Sequence, residues 1–298
     1  MAKDMARGVP EFGGNHTVDK LERVRQYLEW FTTTMTNKPF QSMYIDGFAG
    51  SGSYIPTRRG TKTAGESFFP RQEAHERDGS ARIALRVKPR FDKYIFIDKN
   101  PKHIARLQLL RKKCPHHNIR IVNEDANIYL KTLCEEFDWT RWRAVLFLDP
   151  YGIQVEWATI KAVARTRAID LWCLFPAGAV NRQLPRDGQI DDKAARRLDR
   201  VFGSNEWYDA FYKTYTRQHL LGEDSKIVKV VGPNQIGEYY LSRLRSVFVG
   251  AARRPRRLYS RSTLLFWLCF AAGDTKCELA KVEIAAQILA APQIRRGP

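Results

Sequence analysis

A chain of 298 residues has the size of one α/β unit with insertions, and no linker-like stretch cuts it in two. Lysine and arginine number 50 against 32 aspartates and glutamates, and the resulting +18 repels itself in a compact fold unless a polyanion answers it. The sequence lacks a run of about eighteen apolar residues, an apolar leader and any Cys-x-x-Cys pair among Cys114, Cys134, Cys173, Cys269 and Cys277. The expectations are therefore a cytosolic protein with no membrane span, no disulfide framework and no zinc knuckle.

Residues 1–15 are polar and glycine-rich and read as a frayed start. A helix begins near Thr17, capped by Thr17 or Asp19, with Leu21, Val24, Tyr27, Leu28 and Phe31 recurring at helical spacing. The two make an N-terminal helical extension over 1–42. Tyr44-Ile45-Asp46 is a buried strand ending in an acid, and Gly47-Phe48-Ala49-Gly50-Ser51-Gly52 is the turn after it. Gly47, Gly50 and Gly52 let the backbone turn tightly and a ligand approach without a Cβ in the way. A Gly-x-Gly alone is a weak signal; its weight here comes from the acids that end the later strands.

Residues 53–80 carry Pro56, Gly60, Gly65, Pro70 and Gly79 without periodicity, the mark of a long loop insertion. Asp78-Gly79-Ser80 then caps a short helix running to Val87. Lys93 to Asp98 is a second strand, which puts Asp98, with Lys99 beside it, where an acid accepts ribose hydroxyls. Pro101 to Cys114 is helical. The third strand, Ile119 to Asn123, leads to Asp125-Ala126, with Asp125 facing an adenine amine. A helix over 127–137 precedes the fourth strand, which ends Val145-Leu-Phe-Leu-Asp149-Pro150-Tyr151-Gly152.

A helix over 155–167 and a fifth strand from Ala168 to Pro176 come next. Helices over 191–202, 204–218 and 233–248 make 177–255 a helical insertion. Leu258 to Ala271 supplies the last strands and Val282 to Ala291 a closing helix. Alternating strands and helices predict a doubly wound, mostly parallel sheet with helices on both faces and ligands at the carboxyl ends of the strands; with the glycine turn and the strand-end acids it reads as a Rossmann-like class I methyltransferase fold.

Strand-end acids beside a glycine turn suit S-adenosylmethionine, with Asp46, Gly47, Phe48, Ala49, Gly50, Gly52, Asp98, Lys99, Asp125 and Ala126 as its contacts. Asp149-Pro150-Tyr151 suits a planar amine. The lone pair of an exocyclic amine is delocalised into its ring, so an Asp149 carboxylate and a Pro150 carbonyl that each accept one N–H turn it toward a methyl donor. Tyr151 stacks on the base, worth about 1–3 kcal/mol, and a base in a duplex must be flipped out to arrive.

Basic residues gather in two acid-poor places. Arg253, Arg254, Arg256, Arg257 and Arg261 lie between Ala251 and Ser262, and Arg58, Arg59, Lys62 and Arg71 lie in the long loop. Both are expected to grip phosphates of RNA or DNA beside the active site. Arg196, Arg197 and Arg200, partly balanced by Asp191, Asp192 and Asp199, read equally as a solvated face or as a third phosphate-binding group. Three other functions stay open: a methyltransferase for a small molecule or protein, a nucleic-acid-binding subunit without catalysis, and a metal hydrolase using Asp46, Asp125 and Asp149, which leaves the glycine turn unexplained. No metal site is expected.

The motif order resembles the three-Cys-motif partner family. It is carried by His16-Thr17 with Lys20-Leu21, by Tyr44 to Gly50, by Asp78-Gly79-Ser80 with Ala84-Leu85, and by Phe147 to Gly152. Ser51 stands where that family commonly has proline, and Tyr151 where it often has phenylalanine. The resemblance implies a methyltransferase-like fold and a radical-SAM-like partner protein bearing three cysteines. Asp149-Pro150-Tyr151-Gly152 is also similar to the Asp-Pro-aromatic motif of adenine-N6 and tRNA guanine-N2 methyltransferases, which implies a base amine as acceptor.

Overall fold

A computed structural model describes residues 15–54, 77–219, 222–274 and 278–292; Arg58, Arg59, Lys62, Arg71, Cys277 and most of the 53–80 insertion lie outside the described residues. The chain opens with α1 (Asn15–Met35), β1 (Gln41–Asp46) and two short strands that pair with each other, β2 (Ser53–Tyr54) and β3 (Arg77–Asp78). It continues through α2 (Ser80–Arg86), β4 (Lys93–Ile97), α3 (Pro101–Lys113), β5 (Ile119–Val122), α4 (Ala126–Glu136), β6 (Trp142–Leu148), α5 (Trp157–Arg165) and β7 (Ile169–Phe175). Beyond β7 come α6 (Ala177–Arg182), α7 (Asp192–Phe202), α8 (Trp207–Phe211), β8 (Tyr212–His219), β9 (Gly222–Lys229) and α9 (Pro233–Val247). The last elements are β10 (Gly250–Ala251), β11 (Arg256–Ser260), β12 (Thr263–Ala272) and α10 (Glu278–Ala290).

The main sheet runs β10-β12-β7-β6-β1-β4-β5, with β11 also paired to β12. The strands from β7 to β5 are parallel, and β12 is antiparallel to β7. Strand residues alternate between two cores. Ile45, Ile97, Leu146 and Cys173 point to α4, α5 and the helices around α9, while Tyr44, Phe96, Phe147 and Trp172 point to α1, α2, α3 and α10. Burial on both faces is why these strands read as unbroken apolar runs. From β1 the chain turns to β4 and β5 on one side, then returns to β6 on the other, so the switch point of the doubly wound sheet falls between β1 and β6.

Several sequence expectations are corrected. Asp19 does not cap α1; the helix begins at Asn15, and Asp19 is buried within it, paired to Arg23 at 2.8 Å and Arg256 at 3.0 Å. Gly79 is the N-cap of α2, without a side-chain bond, while Asp78 pairs with Arg86. The helix over 204–218 is a five-residue helix followed by the β8–β9 hairpin, so 177–255 is not purely helical. The N-terminal segment is no mere extension either, because Leu21, Val24, Tyr27 and Phe31 of α1 form part of one core.

That core is fixed at its amino edge by a buried charge. Asp170 opens β7 fully buried, accepting from Lys281 of α10 at 3.0 Å, from the Tyr27 hydroxyl at 3.0 Å and from Gly273 N–H at 3.3 Å. Burial raises its carboxyl above the ordinary value, and the Lys281 charge pulls it back. A buried ion stripped of its partner typically costs about 3–5 kcal/mol. Lys281→Met should destabilise the protein by that order in urea titration, and Asp170→Asn in the same chain should recover most of the loss; a single variant as stable as wild type would show that the pair holds nothing.

Candidate active site

The switch-point crevice is built on the turn after β1, which is stitched to both neighbouring strands. Gly47 N–H donates to Phe147 carbonyl at 3.0 Å, on the β6 side. Ala49 N–H donates to Ile97 carbonyl at 3.0 Å and Gly50 N–H to the Asp98 carboxylate at 3.0 Å, on the β4 side. Gly52 N–H closes the turn on Ala49 carbonyl at 3.3 Å. A Cβ on Gly47 would lie 2.5 Å from Leu148 Cδ2, so β6 packs where a side chain would stand. Gly50 sits at φ +58°, and a Cβ there would meet no atom within 4 Å. With these amides engaged inside the protein, the turn offers a ligand shape more than free donors.

Asp46 lies beneath this turn and is fully buried. The Tyr44 hydroxyl donates to it at 3.3 Å, Phe48 N–H at 3.3 Å, and the Ser80 hydroxyl also bonds it. Burial, with the nearby Asp149 charge in the same direction, pushes its carboxyl up to about 7. Its place is under the turn, which it holds. Phe48 packs half-buried on the core and Ala49 is buried.

Asp98 ends β4. It accepts from Gly50 N–H, from Asn100 N–H at 2.7 Å and faces His103 Nδ1 at 3.1 Å, which leaves roughly one of a carboxylate's four acceptor positions. Lys99 is exposed. Asp125 caps α4 by accepting from Asn127 N–H at 2.9 Å, and Ala126 is buried in the first turn.

Asn127 escaped the sequence reading. Its amide nitrogen donates to Gln154 carbonyl at 2.9 Å, and its oxygen accepts from Glu156 N–H at 3.0 Å and the Thr159 hydroxyl at 2.9 Å. One buried side chain thus ties the start of α4 to the segment after Asp149-Pro150-Tyr151-Gly152. The available signal was an amide two residues after the cap of a buried helix.

Asp149 leaves β6 at the crevice, and its Oδ2 is bonded by the buried ammonium of Lys20, from α1. His16, one helical turn earlier, lies near both charges; burial foremost, then Lys20, lowers its pKa. Its ring is 6.1 Å from that of Phe266. The sequence singled out His16 and Lys20 only as part of a resemblance; the Lys20 contact with Asp149 spans 129 positions. Pro150 is buried, Tyr151 is 75% exposed, and Gly152 turns the chain at φ +84°.

The expected arginine cluster divides. Arg253 and Arg254 are exposed. Arg256 is not a free phosphate ligand, because its guanidinium bonds Asp19 and the Ala291 carbonyl at 3.2 Å. Arg257 lies over the Trp267 ring at 5.1 Å and faces Glu238 at 3.7 Å. Two strands, β12 and β7, stand between β11 and β6, so the cluster begins about 14 Å from the crevice strand at ordinary strand spacing.

Two surface depressions lie elsewhere. One of about 440 Å³ lies between α5 and α7, lined by Trp157, Lys161, Asp199 and Arg200, and one of about 320 Å³ lies at the amino edge, by Gln41 and Trp142. Neither contains a strand-end acid, so the switch point remains the better site. Among the described residues no three or more His, Cys, Asp or Glu side chains converge as metal ligands, and no helix is long and apolar enough to cross a membrane.

No family model matches the chain, so the three-Cys-motif resemblance rests on its motifs alone. No curated protein matches it. The fold is similar to that of protein LPL1258 from Legionella pneumophila, at 12% identity over 93% of this chain and 92% of that one, with a TM-score of 0.51. Looser likenesses extend to an S-adenosylmethionine-dependent methyltransferase from Clostridium acetobutylicum, at 10% identity over 85% and 92% with a TM-score of 0.39. Trm5b from Pyrococcus abyssi is similar at 13% identity over 84% of this chain and 47% of that one, with a TM-score of 0.32. The fold shared with LPL1258 and the strand order described above are those of the doubly wound, mostly parallel, Rossmann-like sheet that the alternation of elements predicted.

Asp46 yields a pH test. Its ordinary value is 3.8 and its folded value about 7, so its protonated form favours folding fully below about pH 4, and that contribution is lost as pH rises to 7. Relative to Asp46→Asn, wild-type stability should fall by roughly 4 kcal/mol across that window and stay level above it. Parallel stability curves for the two proteins in denaturant titrations would mean that the carboxyl is not perturbed.

Proposed function

We propose that this protein is an S-adenosylmethionine-dependent methyltransferase that methylates an exocyclic amine of a nucleic-acid base. The observation that carries the reading is the meeting, at the switch point, of a β1 turn with a side-chain-free position at Gly50 and a β6 end bearing Asp149-Pro150-Tyr151. The residues fit the cofactor: the turn from Gly47 to Gly52 bounds its methionine end, Asp98 retains an acceptor position for ribose, and Asp125 has one carboxylate oxygen beyond its cap bond for the adenine amine. Lys99 and Ala126 border these two contacts. The cofactor supplies an electrophilic methyl on a sulfonium, a group with an excellent leaving tendency. What remains for the protein is orientation, the largest entropic part of such a barrier.

Asp149 and Pro150 take that part. Lys20 holds Asp149 Oδ2 and so fixes the carboxylate plane, leaving Oδ1 to accept an N–H of the incoming amine. The Pro150 carbonyl accepts the second N–H, and the exposed Tyr151 ring provides a stacking platform. A net charge of +18 favours a polyanionic substrate, with the exposed Arg253 and Arg254 proposed for phosphates, Arg257 able to join them by leaving Glu238, and Arg58, Arg59 and Lys62 proposed for the same task.

Two substitutions separate binding from chemistry. Asp98→Ala should weaken S-adenosylmethionine binding by roughly ten- to a hundredfold in calorimetry, because a charge-assisted acceptor is lost. Asp149→Ala should hold that affinity within a few-fold and abolish transfer of radiolabelled methyl to RNA or DNA, since its contact belongs to the transition state. Undiminished transfer by the Asp149 variant would refute the amine mechanism.

A further inference from the structure

The β8–β9 ribbon belongs to no other sheet. Its register runs from Tyr212 opposite Lys229 to His219 opposite Gly222, and eight residues per strand span about 27 Å. A lone two-stranded ribbon is marginal in water; among the described residues, the side-chain hydrogen bonds that tie this one to the body lie at its root. Lys229 Nζ donates to the carbonyls of Leu184 at 3.0 Å and Asn181 at 3.4 Å, and the Tyr212 hydroxyl donates to Pro185 carbonyl at 2.9 Å. These acceptors lie in and just after α6, which starts two residues beyond the end of β7. The ribbon therefore rises from the sheet edge that carries Asp98 and Asp149.

Residues directly opposed across an antiparallel pair share a face, and the two faces differ in chemistry. One carries Tyr212, Thr214 and Thr216 with Ile227 and Ser225. Its base rests on the body, since a Cβ on Gly188 would lie 2.6 Å from Ile227 Cγ2 and 3.4 Å from the Tyr212 ring. The other face carries Lys213, Tyr215 and Arg217 opposite Val228, Lys226 and Asp224. Three exposed cations thus surround a tyrosine that is 57% exposed, with one acid among them.

We propose that this basic, aromatic face is an arm that grips a single-stranded nucleic acid, with a base stacked on Tyr215 and phosphates on Lys213, Arg217 and Lys226. The proposal rests on the reading of the substrate as nucleic acid and deepens it. Cations interleaved with an exposed ring are what sequence-tolerant strand binding uses, and they match the overall charge. A second copy of the chain fits poorly, because two such faces brought together would oppose cations to cations.

The test is fluorescence anisotropy on the full chain with labelled single-stranded RNA and DNA oligonucleotides of one mixed sequence, titrated against salt. Tyr215→Ala should weaken binding by roughly five- to a hundredfold. Lys213→Gln, Arg217→Gln and Lys226→Gln together should flatten the slope of log affinity against log salt by about two units. Thr214→Ala with Thr216→Ala, on the opposite face, should change neither, and all variants should keep wild-type melting and S-adenosylmethionine affinity. If wild type binds and the Tyr215 and triple variants match it, the arm is wrong while the substrate reading stands. Wild-type failure to bind either oligonucleotide sinks both. Should the triple variant alter only the monomer–dimer equilibrium in sedimentation, the face belongs to a second copy and the proposal is overturned. A preference between the two oligonucleotides would identify the nucleic acid.

Discussion

Helix α1 is held to one face of the sheet by buried charge, and the crevice depends on where it sits. Lys20 reaches Asp149 at the carboxyl edge, and Tyr27 reaches Asp170 at the amino edge. Next to Lys20, Asp19 is shared by Arg23 and Arg256. Such groups stabilise little in net terms, since removing them from water is costly, but each is strongly unfavourable if left alone. A shift of α1 by one residue rotates its side chains by about 100° and strands all three contacts at once. Register is thereby specified more sharply than apolar packing alone would do.

The glycine turn works by a different division of labour. Its amides are spent on β6, β4 and Asp98, so it is rigid before any ligand arrives. Asp98 serves two purposes, fixing Gly50 and keeping an acceptor position in reserve. Preorganisation of this kind lowers the ordering cost of binding, and in the proposed cofactor site it leaves polar recognition to the carboxylates rather than the loop backbone.

The strands were legible because a parallel strand buried on both faces is an apolar run that ends where the chain turns, and the acids at Asp46, Asp98 and Asp149 marked those ends. The mostly parallel sheet with helices on both faces followed from the alternation of elements. What escaped was set by partners far away in sequence. The Lys20–Asp149 contact and the use of Arg256 by Asp19, 237 positions apart, leave no local trace. The 204–218 segment misled for a local reason. Tyr208, Phe211, Tyr212 and Tyr215 recur at three- and four-residue spacing like one helical face, while Lys213 to Arg217 alternate like a strand. Pairing with β9 decided between the two periods, and the helix survives only from Trp207 to Phe211.

The acceptors of Arg23 have a bearing on how the protein is made. Besides Asp19, its guanidinium bonds the carbonyls of Ile288, Ala291 and Pro292, some 265 positions later. During synthesis α1 precedes α10, and it carries a charge whose buried seat does not yet exist. Long-range closure of this kind is slow, so the seat of Arg23 is complete only once α10 is in place. A chain cut short after β7 therefore leaves the Arg23 guanidinium without three of its carbonyl acceptors.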